Sequence, residues 1–166
     1  MKNCTKKLNF EPKRVSRTST IILNAPLETV FPLFGPIKEM EWAHGWNPEI
    51  IYSETGDMEE HMVFKTRSYT GEPDYTWIVS KYLPDDSLIE YTVFTLERIW
   101  YITIKSREKT AETTETEVTY TYTGLSKRGN KTNERALHLM YSNNLKDWEE
   151  AINHYLETGK RLTHHH

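Results

Sequence analysis

Polar and apolar residues alternate most cleanly between Thr113 and Thr123. Val118, Tyr120 and Tyr122 fall on one side, and Glu115, Glu117, Thr119, Thr121 and Thr123 on the other. A period of two marks a strand with one wet face. A Gly129-Asn130 turn then leads into one long amphipathic helix beginning near Lys131. There Leu137, Tyr141, Leu145, Trp148, Ile152 and Tyr155 recur at steps of three and four, forming a single apolar stripe. A one-faced strand and a one-faced helix bury their apolar sides by lying against each other. Both surfaces are bulky and carry polar tips, so they need not meet flush, and a pocket between them is expected.

The rest of the chain supplies the remainder of the sheet. An opening strand covers Arg17–Asn24, with Ile21 and Leu23 inward; Asn24 is placed to cap a helix whose first turn holds Pro26. That helix runs from Leu27 to Phe34 and presents Val30, Phe31 and Phe34; Gly35-Pro36 ends it, and a second short helix covers Ile37 to Ala43. After the turn Gly45-Trp46-Asn47-Pro48 come strand-like runs at Ile50–Thr55, His61–Tyr69, Tyr75–Tyr82, Leu88–Leu96, Ile99–Arg107 and Thr113–Thr123. Gly56-Asp57, Gly71-Glu72-Pro73 and Pro84-Asp85-Asp86 separate them, and such short connections imply antiparallel pairing. The inward sets are Met62, Phe64 and Thr66, then Ile89, Tyr91, Val93 and Thr95, then Trp100, Ile102 and Ile104. In Tyr75–Tyr82 both faces are apolar, and the pattern does not choose between the Trp77 and Ile78 sets. The prediction is an α+β domain of about seven strands, in the order strand, two short helices, six strands, long helix. A tail covers residues 1–12, the domain 13–160, and a second tail 161–166, whose His164, His165 and His166 read as a tag remnant.

Composition narrows the function classes. The chain has 166 residues and a net charge of -3, from 21 basic and 24 acidic side chains, with no basic run to attract nucleic acid. No apolar run approaches the ~20 residues that cross a bilayer. No secretory signal is visible, and the lone Cys4 excludes an internal disulfide, so a cytoplasmic location is expected. Five tryptophans and ten tyrosines are the unusual feature. Each couples a large apolar body to a polar tip that wants a partner when buried.

Particular residues then bring a family into view. Ile22-Leu23-Asn24-Ala25-Pro26 is followed by Val30-Phe31 and Phe34, then by Glu41-Trp42-Ala43-His44-Gly45-Trp46-Asn47-Pro48 and Val63-Phe64-Lys65-Thr66. Thr76-Trp77-Ile78-Val79 and Tyr120-Thr121-Tyr122-Thr123-Gly124-Leu125-Ser126 extend the set. With its order of elements, the chain resembles the START-like, or helix-grip, superfamily of SRPBCC, polyketide cyclase/dehydrase and Bet v 1-like proteins. The resemblance implies a curved antiparallel sheet wrapped around the C-terminal helix, with a cavity for an apolar or amphipathic small molecule.

The candidate ligand wall is Trp46, Phe64, Tyr91, Trp100, Ile102, Tyr120, Tyr122, Tyr141, Asn144 and Trp148. Rings for stacking and a few phenols for hydrogen bonding make a ligand site; the bland alternative is a filled core with its phenols satisfied internally. His138, Tyr91, Tyr120 and His44 are the acid–base candidates, although His138 also fits a solvated helix edge. Glu39, Glu41 and His44 cluster before the Gly-Trp turn, where Trp42 and Trp46 read as anchors. No HExxH, paired cysteines, Gly-x-Ser-x-Gly or phosphate loop appears, so neither a metal nor a cofactor is called for. The expected partner is a small hydrophobic molecule that the protein binds or carries, and a homodimer is one admissible assembly. A cyclase- or dehydratase-type enzyme using the same cavity is the alternative, and a co-chaperone-like interaction module the third.

Overall fold

The first and last strands meet. In the computed structural model, which describes residues 8–68 and 71–163, β1 (Arg14–Leu23) pairs antiparallel with β7 (Thr113–Gly124), from Arg14 opposite Thr123 to Leu23 opposite Thr114. Cys4, the end of the second strand-like run at Tyr69 and the terminal histidines lie outside the described residues. Between them in the chain come β2 (Glu49–Tyr52), β3 (Val63–Thr66), β4 (Tyr75–Leu83), β5 (Leu88–Phe94) and β6 (Arg98–Thr110). The seven strands form one antiparallel sheet ordered β1-β7-β6-β5-β4-β3-β2. The curved sheet holds the C-terminal helical segment against its inner face, the α+β arrangement expected.

Strand parity is as expected where the alternation was clean. Ile89, Tyr91 and Val93, then Trp100, Ile102 and Ile104, then Val118, Tyr120 and Tyr122 are buried. The ambiguity in β4 has a structural cause. Its register with β5 shifts between Val79 and Lys81, so Val79 faces Tyr91 and Tyr82 faces Ile89, both on the buried side. A bulge reverses the side-chain parity at one residue. The inner set is therefore Tyr75, Trp77 and Val79 before the bulge and Tyr82 after it.

The helical parts depart from the sequence reading in three places. The first helix, α1 (Leu27–Val30), follows Pro26 instead of being capped by the Asn24 side chain, and it tightens into a 3₁₀ turn at Phe31–Phe34. Pro32 cannot donate to an α-helical carbonyl, which favours the change. The Asn24 N–H donates to Asn153 Oδ1 at 2.8 Å, and Asn153 Nδ2 donates to the Ile22 carbonyl at 3.1 Å. The last helix thus covers the free edge of β1.

The C-terminal helix begins earlier than Lys131 and is two helices, α2 (Lys127–Met140) and α3 (Lys146–Thr158). Asn144 (φ 56°) and Leu145 (φ 62°) form a left-handed break between them. Asparagine tolerates that conformation, whereas leucine must be held in it, and Leu145 is fully buried. Because Leu145, Trp148 and Ile152 still turn inward, the apolar stripe runs through the break and hides it.

Ser126 caps α2: its Oγ accepts from the Gly129 N–H at 3.0 Å and donates to the Glu97 carboxylate. Gly129 is therefore inside the helix. A Cβ there would stand 1.8 Å from the Glu97 carbonyl oxygen, so only glycine lets α2 approach the β5–β6 turn this closely. Gly129→Ala should lower stability by about 1–3 kcal/mol, the usual cost of overpacking. Urea denaturation measures this, and an unchanged midpoint would contradict the close approach.

Candidate ligand cavity

β1 and β2 stand at opposite edges of the sheet, so the chain joining them must cross its open mouth. Three side chains fix that crossing. Trp42 Nε1 donates to the Leu33 carbonyl and Trp46 Nε1 to the Pro36 carbonyl, each at 2.7 Å. From β5, Tyr91 Oη donates to the Phe34 carbonyl at 2.5 Å. The 3₁₀ turn Lys38–Glu41 sits between these anchors, with the Glu39 N–H on the Gly35 carbonyl at 2.9 Å and the Ala43 N–H on the Glu39 carbonyl at 2.7 Å.

Under this crossing lies a cavity of about 320 Å³, lined by Glu39, Trp42, Ala43, His44, Gly45, Trp46, Trp77, Tyr91, Ile102, Ile104, Tyr120, Met140 and Trp148. Its size suits one small ligand. The rings meet edge to face: Trp46 on Trp77 at 5.3 Å and 81°, Trp77 on Tyr91 at 5.6 Å and 81°, Trp42 on Trp148 at 5.9 Å and 60°. Aromatic pairs favour that geometry because ring edges are positive and faces negative. It also makes the wall stiff.

A second hollow of about 410 Å³ shares Trp77, Tyr120, Met140 and Trp148 with the first and continues to Tyr75, Trp100, Tyr122, Arg98 and Asp147. Arg98, only 3% exposed, is held by Glu72 in a forked pair at 3.0 and 2.8 Å and lies 4.3 Å from the Trp100 ring centre. Burial works against its charge, but the hydrogen bonds and charge of Glu72 outweigh it and hold the guanidinium above its ordinary value. A separate cleft of about 210 Å³, between Phe31, Pro32, Met58 and Tyr82, shares no wall with these two.

The polar groups divide into spent and unspent. The indoles of Trp42 and Trp46 and the Tyr91 phenol are spent on backbone carbonyls, and Trp77 Nε1 donates to Thr66 Oγ1 at 2.8 Å. Tyr141 Oη donates to the Val118 carbonyl at 2.8 Å and accepts the Tyr120 N–H at 3.1 Å. By contrast, among the described residues neither the Tyr120 hydroxyl nor the Glu39 carboxyl has a hydrogen-bonding partner. Glu39 is half-buried and lines the cavity, with its carboxyl close enough to Tyr91 and Tyr120 for its charge to be felt by both. Burial pushes that carboxyl well above the usual carboxylate range, and burial first, then neighbouring negative charge, raises both phenols.

Three comparisons with known proteins bear on this architecture. No family model matches the chain, and no curated protein matches it. Solved structures do. Norcoclaurine synthase from Thalictrum flavum, in complex with dopamine and hydroxybenzaldehyde, superposes with a TM-score of 0.67 at 13% identity, over 94% of this chain and 99% of that one. The Zhui aromatase/cyclase from Streptomyces sp. R1128 gives 0.60 at 13% identity, over 89% and 94%. A Staphylococcus aureus protein of unknown function, SA2116, gives 0.64 at 14% identity, over 90% and 97%. The fold is the helix grip.

Within this helix grip, the residues singled out from sequence take up different stations. Trp46, Tyr91, Ile102, Tyr120 and Trp148 line the first compartment, and Trp100 and Tyr122 join Tyr120 and Trp148 in the second. Phe64 stands behind the wall, stacked on Trp77 at 5.3 Å. Tyr141 is a structural tie between α2 and β7. Asn144 is exposed in the helix break, and His138 is exposed on α2 and lines neither compartment. His44 reaches the cavity only as an exposed rim residue. Glu39 was noticed only as part of a charged cluster. Its position three residues before Trp42, on the face that carries the anchors, was the available signal.

The spent and unspent phenols should behave differently when their hydroxyls are removed. Tyr141→Phe orphans a buried carbonyl and a buried N–H and should cost about 1–3 kcal/mol. Tyr120→Phe should change stability by much less. Denaturation of both variants decides it, and equal losses would show that Tyr120 has an internal partner.

Proposed function

We propose that the protein binds or carries a small, ring-containing, largely apolar molecule in the cavity between the sheet and the C-terminal helices. The observation that carries this reading is an aromatic-walled space of about 320 Å³ lined by two polar groups, Tyr120 Oη and Glu39, that have no hydrogen-bonding partner among the described residues. Buried polar groups are normally satisfied, and an occupant able to hydrogen-bond there would satisfy these. Support also comes from the fold neighbours, one of them solved with two small aromatic molecules.

A cyclase- or dehydratase-type reaction is the second reading. Glu39 favours it, because a carboxyl raised by burial beside a phenol is suited to general acid–base work. His138, exposed and outside both compartments, has no part in either reading.

The test is ligand-detected NMR with a panel of one- and two-ring aromatic compounds, neutral and charged. At least one compound should bind saturably at one per chain, and Trp148→Ala, which opens both compartments, should weaken it by about tenfold or more. A panel without a saturable binder, or binding indifferent to Trp148, would overturn the proposal.

A further inference from the structure

Resting on that reading, we propose that the ligand is an organic cation, its charge set against Glu39 and its body enclosed by Trp42, Trp46, Trp77 and Trp148. Among the described residues, the wall of the first compartment contains no lysine or arginine. Its acidic group is Glu39, which has no hydrogen-bond donor among the described residues. Of the two phenols that feel its charge, Tyr91 is committed to the Phe34 carbonyl, and Tyr120 makes no hydrogen bond to it. The indoles of Trp42, Trp46 and Trp77 are likewise turned to Leu33, Pro36 and Thr66, which leaves their π-systems and not their N–H groups for an occupant. Aromatic faces and a carboxylate share one preference, for positive charge.

An anionic guest meets the opposite situation. Arg98, in the adjoining hollow, is already neutralised by its forked pair with Glu72, and Arg67 lines a separate cleft on the far side of Trp46 and Trp77 instead of this wall. A neutral guest without a donor would leave the carboxyl either desolvated or protonated, and one with a donor would leave its negative charge unmatched.

The charge requirement carries a proton with it. Burial alone raises the Glu39 carboxyl, and an arriving cation reverses that effect and expels its proton. Cation affinity therefore rises with pH until Glu39 is ionised unaided. The other titratable groups facing this site are Tyr91 from β5, Tyr120 from β7 and His44 from the crossing segment; Asp147 from α3 lines the adjoining hollow, and its charge reaches Tyr120. Burial keeps both phenols neutral. Lys38 and Glu41, on the same turn as Glu39, are exposed and pair with each other at 3.7 Å, and Glu41 also accepts from Tyr155 Oη at 2.6 Å. His44 stands on the rim of the same space, so it needs its own control.

Benzyltrimethylammonium and neopentylbenzene, its uncharged carbon isostere, supply the test, with binding to the full chain followed by tryptophan fluorescence. The wild-type protein should bind the ammonium compound about tenfold or more tightly than the isostere near pH 8. That preference should shrink towards pH 5, in His44→Gln as in wild type. Glu39→Gln should abolish both the preference and its pH dependence while still binding the isostere, which shows that the variant is folded. Equal affinities in the wild type, or a preference that survives Glu39→Gln, would overturn the cation and leave the aromatic cavity standing. Failure of both probes to bind would overturn the two together.

Discussion

The structure depends on a crossing. With β1 and β2 at opposite edges, the chain between them has to span the concave side of the sheet, and it is held there by hydrogen bonds from Trp42, Trp46 and Tyr91 to backbone carbonyls. Each bond uses the polar end of a side chain whose apolar body faces the space below. The crossing is thereby fixed at ring height above the sheet instead of collapsing onto it. On the opposite side α2 and α3 are set by Tyr141, which joins the helix break to β7, and by Asn153 at the β1 edge. The cavity is what remains between these two supports.

A carboxyl enclosed at that point costs stability. Because Glu39 is raised in the folded chain above its unfolded value, the folded state holds a proton that the unfolded state has already lost between those two values. Stability therefore falls as pH rises through that window. Hydrophobic replacement would remove the cost, which is why a lone buried acid in a ring-lined space points to a ligand more than to architecture. The Arg98–Glu72 pair is the instructive contrast, since there the buried charge brings its own counter-charge.

Much of this was legible in the residues, and the parts that were not have physical reasons. Alternation identified the inner faces of β5, β6 and β7 because each has one dry side. It failed in β4 because a bulge beside Ser80 exchanges the two sides midway, which makes both look apolar. The break between α2 and α3 escaped notice because Leu145 and Trp148 keep the stripe in phase across it. Gly129 looked like a stop because glycine disfavours helices, whereas here it answers the close approach of the Glu97 carbonyl. Aromatic lining residues such as Tyr91, Tyr120 and Trp148 were recognisable from the faces they occupy. Glu39 was not, since a glutamate between a lysine and a second acid reads as an ordinary solvated turn, and its enclosure follows only from where the tryptophans pin the chain.

The most direct measurement is a carbon-13 NMR titration of the Glu39 carboxyl in the ligand-free protein, assigned by its absence in Glu39→Gln. The account predicts a midpoint well above the ordinary 4.5 of a glutamate, shifted downward when a cation occupies the cavity. A midpoint at or below that ordinary value would mean that water or a donor already serves the carboxyl, and would contradict the account.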